Sequence, residues 1–263
     1  MKSLLVTGAG GGIGGAITSA LADAGYRVFA LDIAPVAERD GVVPLVADLT
    51  DAASVERAFA TVSEMTDCLF AIVHVAGMYS AGSLVEMSEE NFIRAYDINL
   101  FGAFRVNKTF LPLLREGSRI ILTSSELAPL DPLPFTGLYG ITKSAVEKYA
   151  CALRMELQLL GIGVTVLRPG AVRTGLLDVS TRELDSFCAT TTLYGFSARR
   201  FRTIVDRVEA RNVTPERVAQ RVVRALSRRR APLVIKINRN PLLLLLSALP
   251  MRLQNFIIRR ILK

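Results

Sequence analysis

The chain has no CxxC pair and no grouping of cysteine with histidine. Cys68, Cys151 and Cys188 lie far apart, and His74 is the one histidine. A zinc site or a disulfide framework needs such clusters, so no metal and no stapled scaffold are expected. No basic leader followed by a long apolar core and cleavage site opens the chain, so no secretory signal is read there. With reduced cysteines, the expectation is a cytoplasmic protein. The leucine-rich run near the C-terminus is short. NPLLLLLSALPM, the twelve residues between Arg239 and Arg252, falls below the about 20 apolar residues that span a bilayer. There is no internal repeat and no dividing linker. The many arginines lack interleaved aromatics and no nucleic-acid motif appears, so nucleic acid is not an expected partner.

What is present points to one large folding unit. Of 263 residues, 51% are hydrophobic and 21% charged, which favours a buried core over disorder. The net charge of +8 is uneven. Residues 196–263 hold 17 Lys+Arg against 3 Asp+Glu, a net of +14, and residues 1–195 are net −6. Acidic lipid, an acidic substrate or a merely solvated basic face would each account for this.

Apolar runs and helical spacing alternate along the chain. Residues 4–7 read as a strand ending in glycines and 13–24 as a helix stopping at Gly25. Residues 27–32 and 42–47 read as strands, and 51–64 as a helix capped by Thr50. LFAIVHV, residues 69–75, is apolar almost throughout, as a strand buried on both faces should be. Ser88 is placed to cap a long helix reaching about Leu114. Strand 119–123, helix 138–160, strand 164–167, helix 214–227 and strand 232–237 complete the pattern. Such alternation makes βαβ units. The expected fold is a single α/β domain over residues 1–240, with a doubly wound parallel sheet of about seven strands and helices on both faces. Residues 175–212 break the alternation and read as an insertion at one edge; 241–263 form an apolar and basic tail.

The first strand runs into TGAGGGIGG, residues 7–15. A glycine-rich turn between strand and helix lets backbone N–H groups approach a pyrophosphate at the positive end of the helix. Gly10, Gly12 and Gly15 fit GxGxxG; Gly8, Gly12 and Gly14 fit the longer TGxxxGxG. The second register is preferred, because its first glycine directly follows the strand. The second strand ends at Asp32. A carboxylate there accepts hydrogen bonds from ribose hydroxyls and repels a 2′-phosphate. No basic residue stands in the glycine loop or just after Asp32, so NAD is expected rather than NADP.

TSSELAPLDPLPFTGLYGITK, residues 123–143, places Tyr139 and Lys143 four apart beyond a serine. Residues so spaced share a helix face. A neighbouring ammonium favours a phenolate and lowers the phenol's pKa. Ser125 follows a strand at the carboxyl edge, where its hydroxyl can bond a carbonyl or alcohol oxygen. A proton donor/acceptor beside a hydride carrier suits alcohol–ketone redox chemistry.

With these residues the chain resembles the short-chain dehydrogenase/reductase family, steroid- and retinol-type members included, over nearly its whole length. TGAGGGIG matches the family's TGxxxGIG, Asp48 its adenine-contacting aspartate, VAG at 75–77 the tail of its NNAG, and Asn99 its helix asparagine. Ser125 with Tyr139 and Lys143 matches its serine and YxxxK; Pro169, Gly170 and Thr174 match its PGxxxT. The resemblance implies a Rossmann-type fold, homo-oligomers and a role for each residue. Tyr139 is the general acid/base. Lys143 lowers its pKa and holds the nicotinamide ribose, Ser125 orients the substrate oxygen, and the Asn99 carbonyl holds a water. Gly8, Gly12, Ile13, Gly14, Asp32, Asp48, Leu49, Val75, Ala76, Gly77, Pro169, Gly170, Val172 and Thr174, with Tyr139 and Lys143, would contact the cofactor. The chain departs from the family at His74 and Val75, which replace asparagines. The Ser125–Tyr139 spacing is one residue longer than usual. His74 is read as structural, and the extra residue is placed in PLDPLP.

The expected function is an NAD(H)-dependent alcohol dehydrogenase/ketone reductase. A 3-oxoacyl thioester reductase and a non-catalytic nucleotide-binding regulator are the alternatives. Leu176, Leu177, Phe187, Leu193, Tyr194 and Phe196 in the insertion favour a bulky lipophilic alcohol such as a steroid or retinoid. In a tail helix, Leu253, Ile257 and Ile261 share a face opposite Arg252, Asn255, Arg259 and Lys263. That face would lie on a membrane interface, on the chain's own domain or on a second subunit.

Overall fold

The computed structural model describes residues 1–263, leaving aside the side chains of Asp178 and Glu209. Its strands are β1 (Ser3–Thr7), β2 (Arg27–Asp32), β3 (Val42–Val46), β4 (Leu69–His74), β5 (Arg119–Thr123), β6 (Gly163–Pro169) and β7 (Val234–Ile237). All pair in parallel, in the order β3-β2-β1-β4-β5-β6-β7. Leu4, Leu5 and Val6 of β1 and Ala71, Ile72 and Val73 of β4 have no exposed surface. Such strands need cover on both faces.

The helices are α1 (Gly12–Asp23), α2 (Ala52–Met65), α3 (Glu89–Tyr96), α4 (Gly102–Phe110), α5 (Gly137–Leu157), α6 (Gly175–Thr190), α7 (Gly195–Glu209), α8 (Pro215–Ser227), α9 (Pro241–Ser247) and α10 (Met251–Leu262). α2, α4 and α5 bury Val55, Phe110 and Val146 on one face of the sheet. α1 and α8 bury Ile17, Leu21 and Val222 on the other. Strand order reverses between β1 and β4, which opens a crevice at their carboxyl ends. This is the Rossmann-type doubly wound fold the sequence pattern implies.

Two local expectations are corrected and a third is filled in. The cap of α2 is Asp51, whose Oδ1 accepts the Ala53 N–H at 3.0 Å; Thr50 is held instead by Asp48. Ser88 does cap α3, accepting from the Asn91 N–H, but the helix does not run on unbroken. Residues Asp97–Phe101 widen into a π-helical turn, closed by Gly102 N–H to the Asp97 carbonyl, and Leu111–Leu113 tighten into a 3₁₀ turn at Pro112. The third concerns the tail. α10 turns Gln254 and Leu262 inward, whereas Leu253 and Ile261 are 43% and 45% exposed. Gln254 sets this rotation, because its Nε2 donates to Asp131 Oδ2 at 2.9 Å and to the Leu249 carbonyl at 2.8 Å.

Residues 175–212 form the pair α6–α7, packed on an aromatic cluster centred on Phe135, with Phe187, Tyr194 and Phe201 around it. Leu262 of α10 closes the same cluster. Phe135 reaches this place with φ of 64°, a left-handed backbone costly for a bulky residue. It lies just beyond PLDPLP, where the extra residue was placed.

Candidate active site

The glycine turn follows β1 and opens α1. A Cβ at Gly14 would lie 1.9 Å from the Gly8 carbonyl oxygen, and one at Gly8 2.5 Å from the Ala76 nitrogen. One at Gly12 would meet Thr174 at 2.6 Å, and Gly8 itself holds φ at +69°. Gly10 and Gly15 meet nothing nearer than 3.2 Å. The positions that exclude a side chain are therefore those of the Gly8, Gly12, Gly14 register. The turn leaves a cradle of backbone at a helix N-terminus that fits a dinucleotide's pyrophosphate.

Asp32 steadies this cradle. Its Oδ2 accepts the Gly10 N–H at 2.9 Å and its Oδ1 the Ala34 N–H at 3.1 Å. The first basic residue after it, Arg39, is paired with Asp23. Asp48 accepts from the Thr50 N–H and hydroxyl, each at 2.8 Å, and these bonds hold its carboxyl below the usual range. Leu49 is buried beside it and its carbonyl takes Arg105. Val75 and Ala76 return to β1 by N–H bonds to the Thr7 carbonyl. Thr174 caps α6, and Val172 bridges to Val213.

α5 brings Tyr139 and Lys143 against the ends of β4 and β5. The two serines after β5 divide their work. Ser124 turns to α5, with Oγ bonded to the Lys143 carbonyl and to Glu147 Oε1 at 2.9 Å. Ser125 Oγ accepts the Leu127 N–H at 3.2 Å and lies close enough to the Tyr139 hydroxyl to favour its ionised form. The Lys143 Nζ donates to the Thr123 carbonyl at 3.1 Å and lies 5.8 Å from the Tyr139 ring centre. Asn99, in the π-helical turn, is locked by its side chain: Oδ1 accepts the Met78 N–H at 2.8 Å, and Nδ2 donates to the Met78 carbonyl and Thr142 Oγ1. A widened turn of this kind alters the local carbonyl pattern of a helix.

The electrostatics differ from the sequence expectation. Burial pushes the Tyr139 hydroxyl up to about 12, and the nearby Ser125 hydroxyl offsets only part of this. Burial holds the Lys143 ammonium down to about 8. The lysine is thus beside the phenol, yet burial decides the direction of the phenol's shift.

Residues 2–185 match the family model described as short chain dehydrogenase. The chain belongs to the short-chain dehydrogenase family. It is 42% identical over 180 residues to an uncharacterised short-chain type dehydrogenase/reductase, y4eK, of Sinorhizobium fredii, covering 65% of this chain and 70% of that one. It is 27% identical over 235 residues to the 3-ketodihydrosphingosine reductase of Bacteroides thetaiotaomicron, covering 89% and 87%. Among solved structures, 3-ketoacyl-(acyl-carrier-protein) reductase from Brucella melitensis, complexed with NADH, superposes with a TM-score of 0.71 at 22% identity, covering 89% and 96%. Family membership makes the chain an oxidoreductase using a nicotinamide dinucleotide.

The dehydrogenase's cleft measures about 1230 Å³ with its open mouth. Ile13, Val75, Gly77, Pro169, Gly170, Val172 and Thr174 line it together with Ser125, Tyr139 and Lys143. Of the insertion residues singled out by sequence, Leu176 and Leu177 line the cleft. Phe187 and Tyr194 instead pack behind it on Phe135, and Leu193 and Phe196 are 65% and 56% exposed. Sequence reading missed Phe201, Ile204, Val205 and Val208, which supply the α7 wall. Their helical spacing was the available signal.

His74 sits at the end of β4, 4% exposed. Its Nε2 bonds Asn107 Oδ1 at 2.8 Å, and Asn107 Nδ2 donates to the Tyr149 hydroxyl. Burial lowers its pKa to about 4, so the ring is neutral near pH 7.

The Lys143 amine makes a stability prediction. Its native pKa, about 8 against 10.5 for the ordinary group, means that the native state gives up the proton first. Wild-type stability should therefore rise as pH passes from about 8 to about 10.5, where the unfolded chain still holds the proton. Lys143→Met should be more stable at pH 7 by about 1–3 kcal/mol and should lack that rise. Urea unfolding at pH 7 and 9.5 checks both.

Proposed function

We propose that the chain is an NAD(H)-dependent oxidoreductase interconverting an alcohol and its ketone or aldehyde (CH–OH chemistry) on a bulky lipophilic substrate. The observation that carries this reading is the convergence of Ser125, Tyr139 and Lys143 on the floor of a largely apolar cleft. Ser125 orients the substrate oxygen. Tyr139 passes a proton to it or takes one from it, and Lys143 places positive charge beside the phenol and reaches a ribose. Asn99 fixes the loop at Met78 and the turn behind Lys143. The bound nicotinamide would supply or accept the hydride.

The cradle of Gly8, Gly12 and Gly14 would hold the pyrophosphate, with Ile13, Val75, Ala76 and Gly77 beside it. Asp48 and Leu49 would face the adenine, and Pro169, Gly170, Val172 and Thr174 would close over the nicotinamide. Asp32 supports NAD: a carboxylate at the end of β2 would repel a 2′-phosphate, and Arg39 is engaged by Asp23. The relative named 3-ketodihydrosphingosine reductase supports a keto substrate. Leu133, Leu176, Phe201, Ile204 and Leu243 make the cleft wall apolar, which suits a steroid, retinoid or other lipid skeleton.

The tail fits delivery from an acidic lipid surface. No helix among the described residues is long and apolar enough to cross a membrane. α9 and α10 expose Leu242, Leu245, Met251 and Phe256, each by 63–65%. Arg252, Arg259, Arg260 and Lys263 accompany them, and no acidic residue follows Glu216. α9 also contributes Leu243 to the cleft. Such a helix pair can rest in a membrane interface.

Tyr139→Phe should lower kcat by about 10²–10⁴-fold while NADH binding, read by fluorescence, is retained. A variant keeping a tenth of the wild-type rate would remove the phenol from the mechanism. The kcat/KM with NAD should exceed that with NADP by about tenfold or more, and Asp32→Ala should narrow the gap. Equal use of both cofactors by the wild type would reject the NAD reading. Substituting Leu245→Glu together with Phe256→Glu should cut co-sedimentation with phosphatidylserine vesicles several-fold. Absence of binding by the unmodified protein would reject the membrane contact.

A further inference from the structure

Glu126 is the one acidic residue lining the cleft among the described residues. It directly follows Ser125, and it is 8% exposed. Its backbone N–H bonds the Pro169 carbonyl at 2.9 Å, which fixes it to the end of β6. Its side chain lies against the backbone of Gly170: a Cβ on Gly170 would come within 2.7 Å of Glu126 Oε1. The same Cβ would lie 2.0 Å from the Asn238 carbonyl oxygen, so glycine at 170 lets both the Asn238 backbone and this carboxylate approach. Oε2 accepts the Asn240 N–H at 2.6 Å. Oε1 has no hydrogen-bond partner, and the carboxylate forms no ion pair, among the described residues. Arg239 acts on it only through longer-range charge, and burial pushes its pKa up.

Oε1 is not among the enclosed unpaired atoms, so it opens onto the cleft and offers a charged acceptor set in a largely apolar wall to whatever fills it. An apolar side chain there would offer no such acceptor. We propose that Glu126 is a specificity-determining residue that pairs with an ammonium group carried by the substrate close to its reacting carbonyl, so that the preferred substrate is a lipophilic amino ketone or amino alcohol. This rests on the lipophilic ketone–alcohol reading above and narrows its substrate class.

Ser125, Glu126 and Tyr139 all line the same cleft, so a substrate whose oxygen is held at Ser125 meets the Glu126 carboxylate in that cleft. An amine close to the reacting carbonyl pairs with it there. An ammonium both donates a hydrogen bond and neutralises the charge, whereas a hydroxyl does only the first. The hydrophobic remainder of the substrate then occupies the wall made by Leu133, Leu176, Phe201 and Leu243.

Binding and turnover test the two readings separately. With NADH bound, decylamine and decanol would be titrated against the full chain, and cofactor fluorescence would give each Kd. The wild type should bind the amine about tenfold or more tightly than the alcohol, the scale of a charge-assisted hydrogen bond. In Glu126→Gln, which keeps an acceptor for Asn240, that ratio should collapse toward one. A wild-type ratio near one, or equal weakening of both probes in the variant, would overturn the proposal and leave Glu126 as a support for the tail. An intact NADH affinity shows that the variant has folded. Turnover of a long-chain α-amino ketone against the same ketone without its amine gives the second readout. Preference for the amino ketone, lost in Glu126→Gln, supports the proposal. Reduction of both ketones at equal rates overturns it while leaving the lipophilic ketone reading intact. If neither is reduced, the wider reading fails, and the amine-to-alcohol binding ratio alone decides the role of Glu126.

Discussion

Everything at the site depends on where α5 is seated. Glu147 provides the seat: its carboxylate takes Arg168 of β6 through two bonds of 2.6 Å and the Ser124 hydroxyl at 2.9 Å. Both side chains of the ion pair are largely buried. Bidentate geometry adds direction to the attraction, which exposed pairs lack. Arg154, two turns further, donates to the Val164 carbonyl. α5 can neither slide nor roll on β5 and β6 without breaking these bonds. One and two turns earlier on the same helix stand Lys143 and Tyr139, so their position relative to Ser125 is inherited from this clamp.

The clamp holds groups that would not choose the place. A buried ammonium with one carbonyl acceptor and a phenol whose ionisation is opposed by burial both work against stability. Neighbouring polar groups are arranged so that few others share that condition. Asn99 spends its side chain on Met78 and Thr142, and Thr142 passes on to the Tyr139 carbonyl. His74, neutral and bonded to Asn107, fills the adjoining end of β4 without adding charge. Its Nδ1 is buried without a partner. A charged ring there would sit in the same crevice as Lys143. Its low pKa therefore fits the site better than a catalytic reading of a lone histidine would.

The fold and the polar floor of the site were legible because each leaves a local mark. Runs such as LFAIVHV announce strands covered on both faces. Gly8 and Gly14 are marked by a contact that only glycine permits. The spacing of Tyr139 and Lys143 encodes a shared face. What failed to show depends on contacts distant in sequence. The π-helical turn at Asp97–Phe101 is set partly by Asn99 reaching Met78, and no propensity reports it. The rotation of α10 is decided by Gln254 meeting Asp131, 123 positions away, which overrides its stripe of isoleucine and leucine. The division of the insertion's aromatics, with Phe187 behind the cleft and Phe201 on its wall as well as in the cluster, follows from Phe135. That residue's left-handed backbone gave no sign of itself.

Phe135 joins parts that would otherwise be separate. It follows the loop from Ser125, precedes α5, and packs on α6, α7 and, through its cluster, α10. A strained backbone persists only where packing over-determines it, and here the packing is a shared aromatic core beneath the substrate wall. The same loop begins with Glu126, which bonds the Asn240 nitrogen where α9 starts. The segment between the serine and the tyrosine is therefore tied at both ends to the C-terminal elements. A substrate filling the cleft touches that segment, α7 and α9 together. The cleft wall comes from helices outside the nucleotide-binding frame, which helps explain why the floor residues were visible in short motifs and the wall was not.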